Sequence, residues 1–164
     1  MVTTSYVIAL GANRPSRNGA PEAALAATLA ELGGAASPII RTAPIGPSIR
    51  RYANAACVIT SPLPPPALLA VLKRMERAAG RRPGRRWGSR PLDLDIILWS
   101  GGAWSSPGLT IPHPAFRERG FVLEPLAAIA PDWRDPITGL TVRQLHARLT
   151  RRRPAYRATA SGGS

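Results

Sequence analysis

Residues 91–99, Pro-Leu-Asp-Leu-Asp-Ile-Ile-Leu-Trp, read as a β-strand, in which 92–96 alternate apolar and acidic side chains at the strand period. Successive strand residues point to opposite faces. Leu92, Leu94 and Ile96 therefore turn to a core, and Asp93 and Asp95 stand side by side on the other face. Such a strand requires a sheet packed on one side and open, over those two positions, on the other. Two neighbouring carboxylates are hard oxygen ligands suited to Mg²⁺, and ions held there bridge phosphate oxygens. An isolated Asp-x-Asp also fits two solvated aspartates. The neighbourhood argues for metal here: residues 81–90, Arg-Arg-Pro-Gly-Arg-Arg-Trp-Gly-Ser-Arg, hold five arginines and no acid, in a chain with nine acidic residues.

Charge is unevenly spread. The chain carries 22 basic and 9 acidic residues, a formal +13, with Lys73 its only lysine. Residues 143–157 hold six further arginines (Arg143, Arg148, Arg151, Arg152, Arg153 and Arg157) and again no acid. Outside these two stretches cations and anions nearly balance. A local arginine cluster suits a phosphate-rich partner, because guanidinium forks grip phosphate oxygens bidentately. Nucleotide and nucleic acid both fit that chemistry. Trp87, in the middle of the first stretch, is suited to stack on a base or to close over a bound ligand.

The length of 164 residues and an apolar content of 45% predict one domain with a real core. Residues 5–10 read as a buried strand, and 21–32 as a helix with Pro21 at its first position and Gly33-Gly34 as its stop. A second strand is expected at 38–42 and a third at 52–60, with Tyr52, Asn54 and Ala56 on one face and Ala53, Ala55 and Cys57 on the other. A helix follows from Pro64–Pro66 to Gly80, then the strand 91–99, a turn over 101–108, a short helix near 120–129 and a last helix over 141–149. The order β-α-β-β-α-β predicts a ferredoxin-like α+β sandwich, mainly antiparallel, with extra C-terminal helices. Residues 1–150 form the expected domain, and 151–164 a basic, flexible tail.

Several classes are excluded. The single cysteine, Cys57, allows neither an intramolecular disulfide nor a Cys-rich zinc site. No run of 18 uncharged apolar residues occurs, and no basic segment precedes the first apolar run, so a cytoplasmic chain without a membrane span is expected. Walker and Rossmann phosphate loops are missing, as are the GxSxG and HExxH patterns. Taken alone, His113, between Pro112 and Pro114, reads as a structural hydrogen-bonding residue, and His146 as a surface residue.

Arg86-Trp87-Gly88-Ser89-Arg90-Pro91-Leu92-Asp93-Leu94-Asp95-Ile96-Ile97 closely matches the signature R-W-G-x-R-x-L-D-L-D-I-L. Around it stand Ala9-Leu10-Gly11-Ala12-Asn13, Tyr52-Ala53-Asn54-Ala55, Glu76 with Gly80-Arg81, Ile111-Pro112-His113-Pro114, and Arg119-Gly120-Phe121-Val122-Leu123 followed by Pro125-Leu126. In this order, over roughly residues 5–145, the motifs resemble the 6-hydroxymethyl-7,8-dihydropterin pyrophosphokinases of folate biosynthesis. The resemblance implies transfer of the β,γ-diphosphate of ATP to the pterin hydroxymethyl group, with AMP as the other product. It implies that Asp93 and Asp95 hold two Mg²⁺ ions and act at the reacting phosphates with Arg81 and Arg90. Glu76, Arg86, Trp87, Ile96, Thr110, His113 and Arg119 would surround ATP. Thr42, Pro44, Ile45, Tyr52, Asn54 and Phe121 would form the pterin pocket, with the ring sandwiched between Tyr52 and Phe121. The chain departs from the family at Ser89, often Pro, at Pro91, often Thr, at Ala43, often Pro, and at Arg14, usually Leu. The resemblance leaves open which of Arg82 and Arg85 would fill the role of a second loop arginine.

Two other readings compete. A polymerase-palm nucleotidyl transferase also sets paired aspartates on a ferredoxin-like sheet, but needs a third carboxylate and a template-binding region. An RNA-binding module would use the arginine stretches, yet Asp93 and Asp95 would repel its phosphates unless metal-bound. The expectation is a monomer acting on ATP and the pterin as small-molecule substrates, without nucleic acid or membrane as partner.

Overall fold

The computed structural model describes residues 2–13, 20–42, 52–80 and 91–161, with Thr42 and 152–161 as backbone only. Strand β1 (Thr4–Ala12) is the centre of the sheet. It pairs antiparallel with β4 (Tyr52–Ser61) along its whole length and with β5 (Asp93–Trp99) on its other side. The far edge of β4 carries two short strands, β2 (Ala35–Ala36) and β3 (Ile40–Thr42), both antiparallel to it.

Helix α1 (Pro21–Leu32) links β1 to that outer edge, skipping over β4. Helix α2 (Pro65–Ala78) links β4 to β5, skipping over β1. Two interleaved split β-α-β units of this kind make the ferredoxin-like arrangement. Both helices begin with proline in the first turn, where its missing N–H has no intrahelical partner to lose.

The strand expected at 38–42 begins only at Ile40, and the two-residue strand β2 pairs with β4 separately, ahead of it. Pro38 has no N–H to give the ladder. Buried Ser37 bridges the break: its N–H donates to the Ala56 carbonyl, and its Oγ accepts the Ala56 N–H, both at 2.8 Å. The expected turn over 101–108 is a hairpin, β6 (Trp104–Ser106) and β7 (Leu109–Ile111), turning at Pro107-Gly108 with Gly108 at φ +77°. Three-residue strands are too short for a periodicity to show. Trp104 sets its ring edge-on to Trp99, with centroids 5.9 Å apart, and so ties the hairpin to the sheet.

Helices α3 (Gly120–Ile129) and α4 (Val142–Ser161) cover part of the opposite face. The expected end of the last helix at 149 is a correction: it runs through the boundary drawn at 150 to Ser161. Four arginines and three alanines, both good helix formers, outnumber the single Pro154 in this stretch, and the next glycine is Gly162.

The core is therefore double. Tyr6, Ile8, Leu10, Ala55, Cys57, Leu94 and Ile96 pack with Leu25, Leu68 and Leu72 beneath α1 and α2. Val7, Ala9, Ala56, Ile97 and Leu98 pack with Phe116, Leu123, Leu126 and Leu145 beneath α3 and α4. Each fully buried aliphatic or aromatic side chain contributes about 1.5–3 kcal/mol. The two faces of β4 and of β5 follow the alternation of the sequence until Ile97. There the pairing steps from Ile8↔Ile96 to Val7↔Leu98, leaving Ile97 without an opposite residue, and Ile97 and Leu98 both turn to the α3/α4 side.

Candidate functional site

The face occupied by α3 and α4 is shared by Ala9, Ala56 and Asp95, which lie in one cross-strand row. The next row outward is Asn54, Gly11 and Asp93. Alternation thus sets both carboxylates and the Asn54 amide on one side of the sheet, with a glycine between them. A Cβ at Gly11 would lie 3.3 Å from Asn54 Oδ1. The absence of a side chain there lets the amide lean inward and keeps the space before Asp93 open.

Asp95 is half-buried. Burial is the main cause that raises its pKa above that of an ordinary aspartate; the Asp93 charge adds to this, and Glu76 does so more weakly. His113 and Lys73 act in the opposite sense. Two carboxylates that repel each other in a partly desolvated place gain from a divalent cation. Among the described residues no cluster of three or more His, Cys, Asp or Glu side chains is poised to hold a metal. Two carboxylates alone nonetheless fit Mg²⁺, which keeps its remaining positions for water and substrate phosphate.

The bulge places His113. Its backbone N–H donates to the Ile97 carbonyl at 3.0 Å, and its Nδ1 accepts the Ala115 N–H at 3.2 Å. The neutral ring then carries its proton on Nε2. A 3₁₀ turn, Phe116–Glu118, leads on to Arg119 at the N-cap of α3. The Arg119 guanidinium lies over the Phe121 ring, 5.7 Å from its centroid. This brings together one residue assigned to ATP and one assigned to the pterin. Arg117, in the same turn, forms a bidentate pair with fully buried Asp135 at 2.5 and 2.9 Å. Asp135 also accepts the Ile137 N–H and the Thr138 hydroxyl.

Glu76 is 1% exposed. Its Oε2 accepts the backbone N–H of Leu94 at 2.7 Å, and its Oε1 lies 3.3 Å from Lys73 Nζ. Ile96 is buried in the α1/α2 core, so its side chain faces away from the carboxylates. Thr110 is exposed on β7, opposite Ser105. A groove of about 720 Å³ between α1 and α2, lined in part by Leu32, Ile59, Met75 and Leu92, holds none of the residues expected at the site.

Residues 7–131 match the sequence profile of the 7,8-dihydro-6-hydroxymethylpterin-pyrophosphokinase (HPPK) family. The chain belongs to the HPPK family. It is 44% identical over 105 residues to the 2-amino-4-hydroxy-6-hydroxymethyldihydropteridine pyrophosphokinase of Synechocystis, covering 64% of this chain and 54% of that one. The enzyme of the same name from Methylorubrum extorquens is 46% identical over 98 residues, covering 60% of this chain and 61% of its own. The chain thus spans less than two thirds of the length of these curated relatives. Among solved structures, wild-type HPPK-DHPS of Plasmodium falciparum with pteroate superposes with a TM-score of 0.67 at 14% identity. The match covers 90% of this chain and 42% of that one, and it speaks for the fold.

Of the residues expected at the site, Tyr52, Asn54, Asp93, Asp95, His113, Arg119 and Phe121 stand on the α3/α4 side or at its rim, whereas Ile96 faces the α1/α2 core, Glu76 is buried on α2 and Thr110 is exposed on β7. Arg81, Arg86, Trp87, Arg90, Pro44 and Ile45, together with the Thr42 side chain, lie outside the described residues. Sequence reasoning overlooked Lys73. Its one signal was position: the chain's only lysine stands three residues before Glu76 on a helix, where side chains meet. No helix among the described residues is long and apolar enough to cross a membrane.

Proposed function

We propose that the chain transfers the diphosphate of ATP to the hydroxymethyl group of 6-hydroxymethyl-7,8-dihydropterin in folate biosynthesis. The observation that carries this reading is the row Asn54–Gly11–Asp93 beside Asp95. It sets an amide with both donors and acceptors, suited to a pterin edge, one glycine away from paired carboxylates suited to a metal-bound triphosphate. The pterin hydroxyl oxygen bonds to the β-phosphorus and loses its proton. The bond from that phosphorus to the α,β-bridging oxygen breaks, and AMP leaves with the oxygen.

Transfer of this kind depends on alignment and charge neutralisation more than on covalent help. Asp93 and Asp95 would hold Mg²⁺, two ions in this reading, and the metal supplies electrostatic stabilisation of the phosphates. Arg81 and Arg90 act there as well, while Arg86, Trp87, Thr110, His113 and Arg119 surround the nucleotide. With its side chain in the core, Ile96 meets the nucleotide only through its backbone. Tyr52 and Phe121 sandwich the pterin, and Thr42, Pro44 and Ile45 close its pocket. The protein works as a cytoplasmic monomer on these small molecules, with residues 1–150 as its pyrophosphokinase domain. The test is incubation with ATP, Mg²⁺ and hydroxymethyl-dihydropterin. AMP should form in equal amount to the pterin diphosphate, and only when all three are present; ADP as product, or no turnover, overturns the reading.

A further inference from the structure

We infer that Glu76 is a positioning residue of the metal-binding strand, with Lys73 as its counter-ion, rather than a group that touches the nucleotide. The inference rests on the metal assignment of Asp93 and Asp95 made above. β5 is the last strand in the order β2-β4-β1-β5, so each outward N–H of that edge needs a partner from outside the sheet. At Leu94, the one residue between the two aspartates, that partner is Glu76 Oε2 at 2.7 Å. The peptide plane joining Asp93 to Leu94 is thereby held, and with it the directions in which the flanking carboxylates leave the strand. Outer groups that orient metal ligands in this way typically change metal affinity 10- to 100-fold when removed.

The cost of the arrangement argues for a role. Glu76 sits in the last turn of α2 (Pro65–Ala78), where the helix dipole disfavours an anion. It is almost wholly buried, and it adds a third negative charge near Asp95. A glutamine could accept the Leu94 N–H without either penalty. The extra negative charge deepens the attraction of the site for a cation. Lys73, half-exposed and 3.3 Å from Glu76 Oε1, offsets the burial of that charge.

The test compares Glu76→Leu, which fills the space without an acceptor, with Glu76→Gln, which keeps one. Mn²⁺ affinity is read by electron paramagnetic resonance with α,β-methylene-ATP present, Leu94 amide exchange by NMR, and affinity for the nucleotide analogue in EDTA. Glu76→Leu should weaken Mn²⁺ binding at least tenfold and speed Leu94 exchange, with metal-free nucleotide affinity within about threefold. Glu76→Gln should restore slow exchange and most of the Mn²⁺ affinity. Parent-like Mn²⁺ binding in Glu76→Leu overturns the positioning role, as does a loss of metal-free nucleotide affinity in Glu76→Gln. Should Glu76→Leu not fold, Glu76→Gln and Lys73→Met decide: parent-like exchange at Leu94 with a few-fold weaker Mn²⁺ supports the inference, and faster exchange in Glu76→Gln overturns it. An Asp95→Asn control keeps the two readings apart. Unchanged Mn²⁺ affinity there overturns the metal assignment itself, whereas a loss there with none in Glu76→Leu overturns only the role of Glu76.

Discussion

His113 reaches β5, the strand of Asp93 and Asp95, through its backbone: its N–H donates to the carbonyl of Ile97 at 3.0 Å, at the point where β5 bulges out of register with β1. The bulge leaves Ile97 without a partner residue, and the chain after β7 supplies a donor to it. Asp95, two residues before Ile97, thereby comes within the electrostatic reach of the His113 ring. An irregularity in one strand thus ties a rigid Pro-His-Pro loop to a pair of carboxylates.

The gap at Gly11 gives the first prediction. A Cβ there already crowds Asn54 Oδ1 at 3.3 Å, and the branches of valine would push the amide aside. Gly11→Val should lower kcat/KM for the pterin at least tenfold, equivalent to about 1.4 kcal/mol. Steady-state kinetics with the pterin varied at saturating ATP check this, and parent-like values would remove Asn54 from the pocket.

Asp95→Asn should abolish transfer, by a factor of at least about a hundred, through loss of a metal ligand. Stability should move the other way. The folded state raises the Asp95 pKa above 3.8, chiefly by burial, so it binds the proton more firmly than the unfolded chain does. Stability from this group falls as pH rises through the window above 3.8 and stays lowered at neutral pH. Removing the charge should therefore raise the Tm of the metal-free protein at pH 7. Calorimetry with EDTA present tests the sign.

The Arg117–Asp135 pair secures the turn between His113 and Arg119. Asp135 is fully buried, and its pKa is lowered to about 2 against the opposing effect of burial, through the hydrogen bonds from Arg117, Thr138 and Ile137. Asp135→Ala should cost about 3 kcal/mol, because it leaves a partly buried guanidinium without its anion. The stabilisation is complete above the ordinary aspartate pKa of 3.8 and is lost as pH falls towards about 2. Urea unfolding of parent and variant, compared at pH 7 and pH 2.5, should show the difference shrink in acid.

Cys57 lies in the core of β4 with no exposed surface, and burial pushes its thiol up to about 12. Thiolate is the reactive form, so an aromatic disulfide reagent at pH 8 should label the native protein only at the rate of its unfolding. Immediate labelling without denaturant would show that β4 opens locally.

Much of this was written locally in the chain. The period-two alternation of 92–96 determined which way Asp93 and Asp95 point, and that of 52–57 put Asn54 opposite Ala53 and Ala55. Pro21 and Gly33 bounded α1 to the residue. Each of these depends on neighbours a few positions away, whose steric and hydrogen-bonding demands are met wherever the segment lies. Only packing decided the rest. The strand expected at 38–42 begins only at Ile40, because Pro38 has no N–H to give and Ser37 takes up Ala56 of β4 ahead of it. The bonds from Leu94 to Glu76 and from Arg117 to Asp135 each join residues 18 positions apart, and the carbonyl of Ile97 is met by a loop beyond a hairpin. No periodicity encodes such partners: a buried carboxylate or an unmatched carbonyl takes whichever donor the folded layers bring within 3 Å, and that distance exists only once the sheet has closed against its helices.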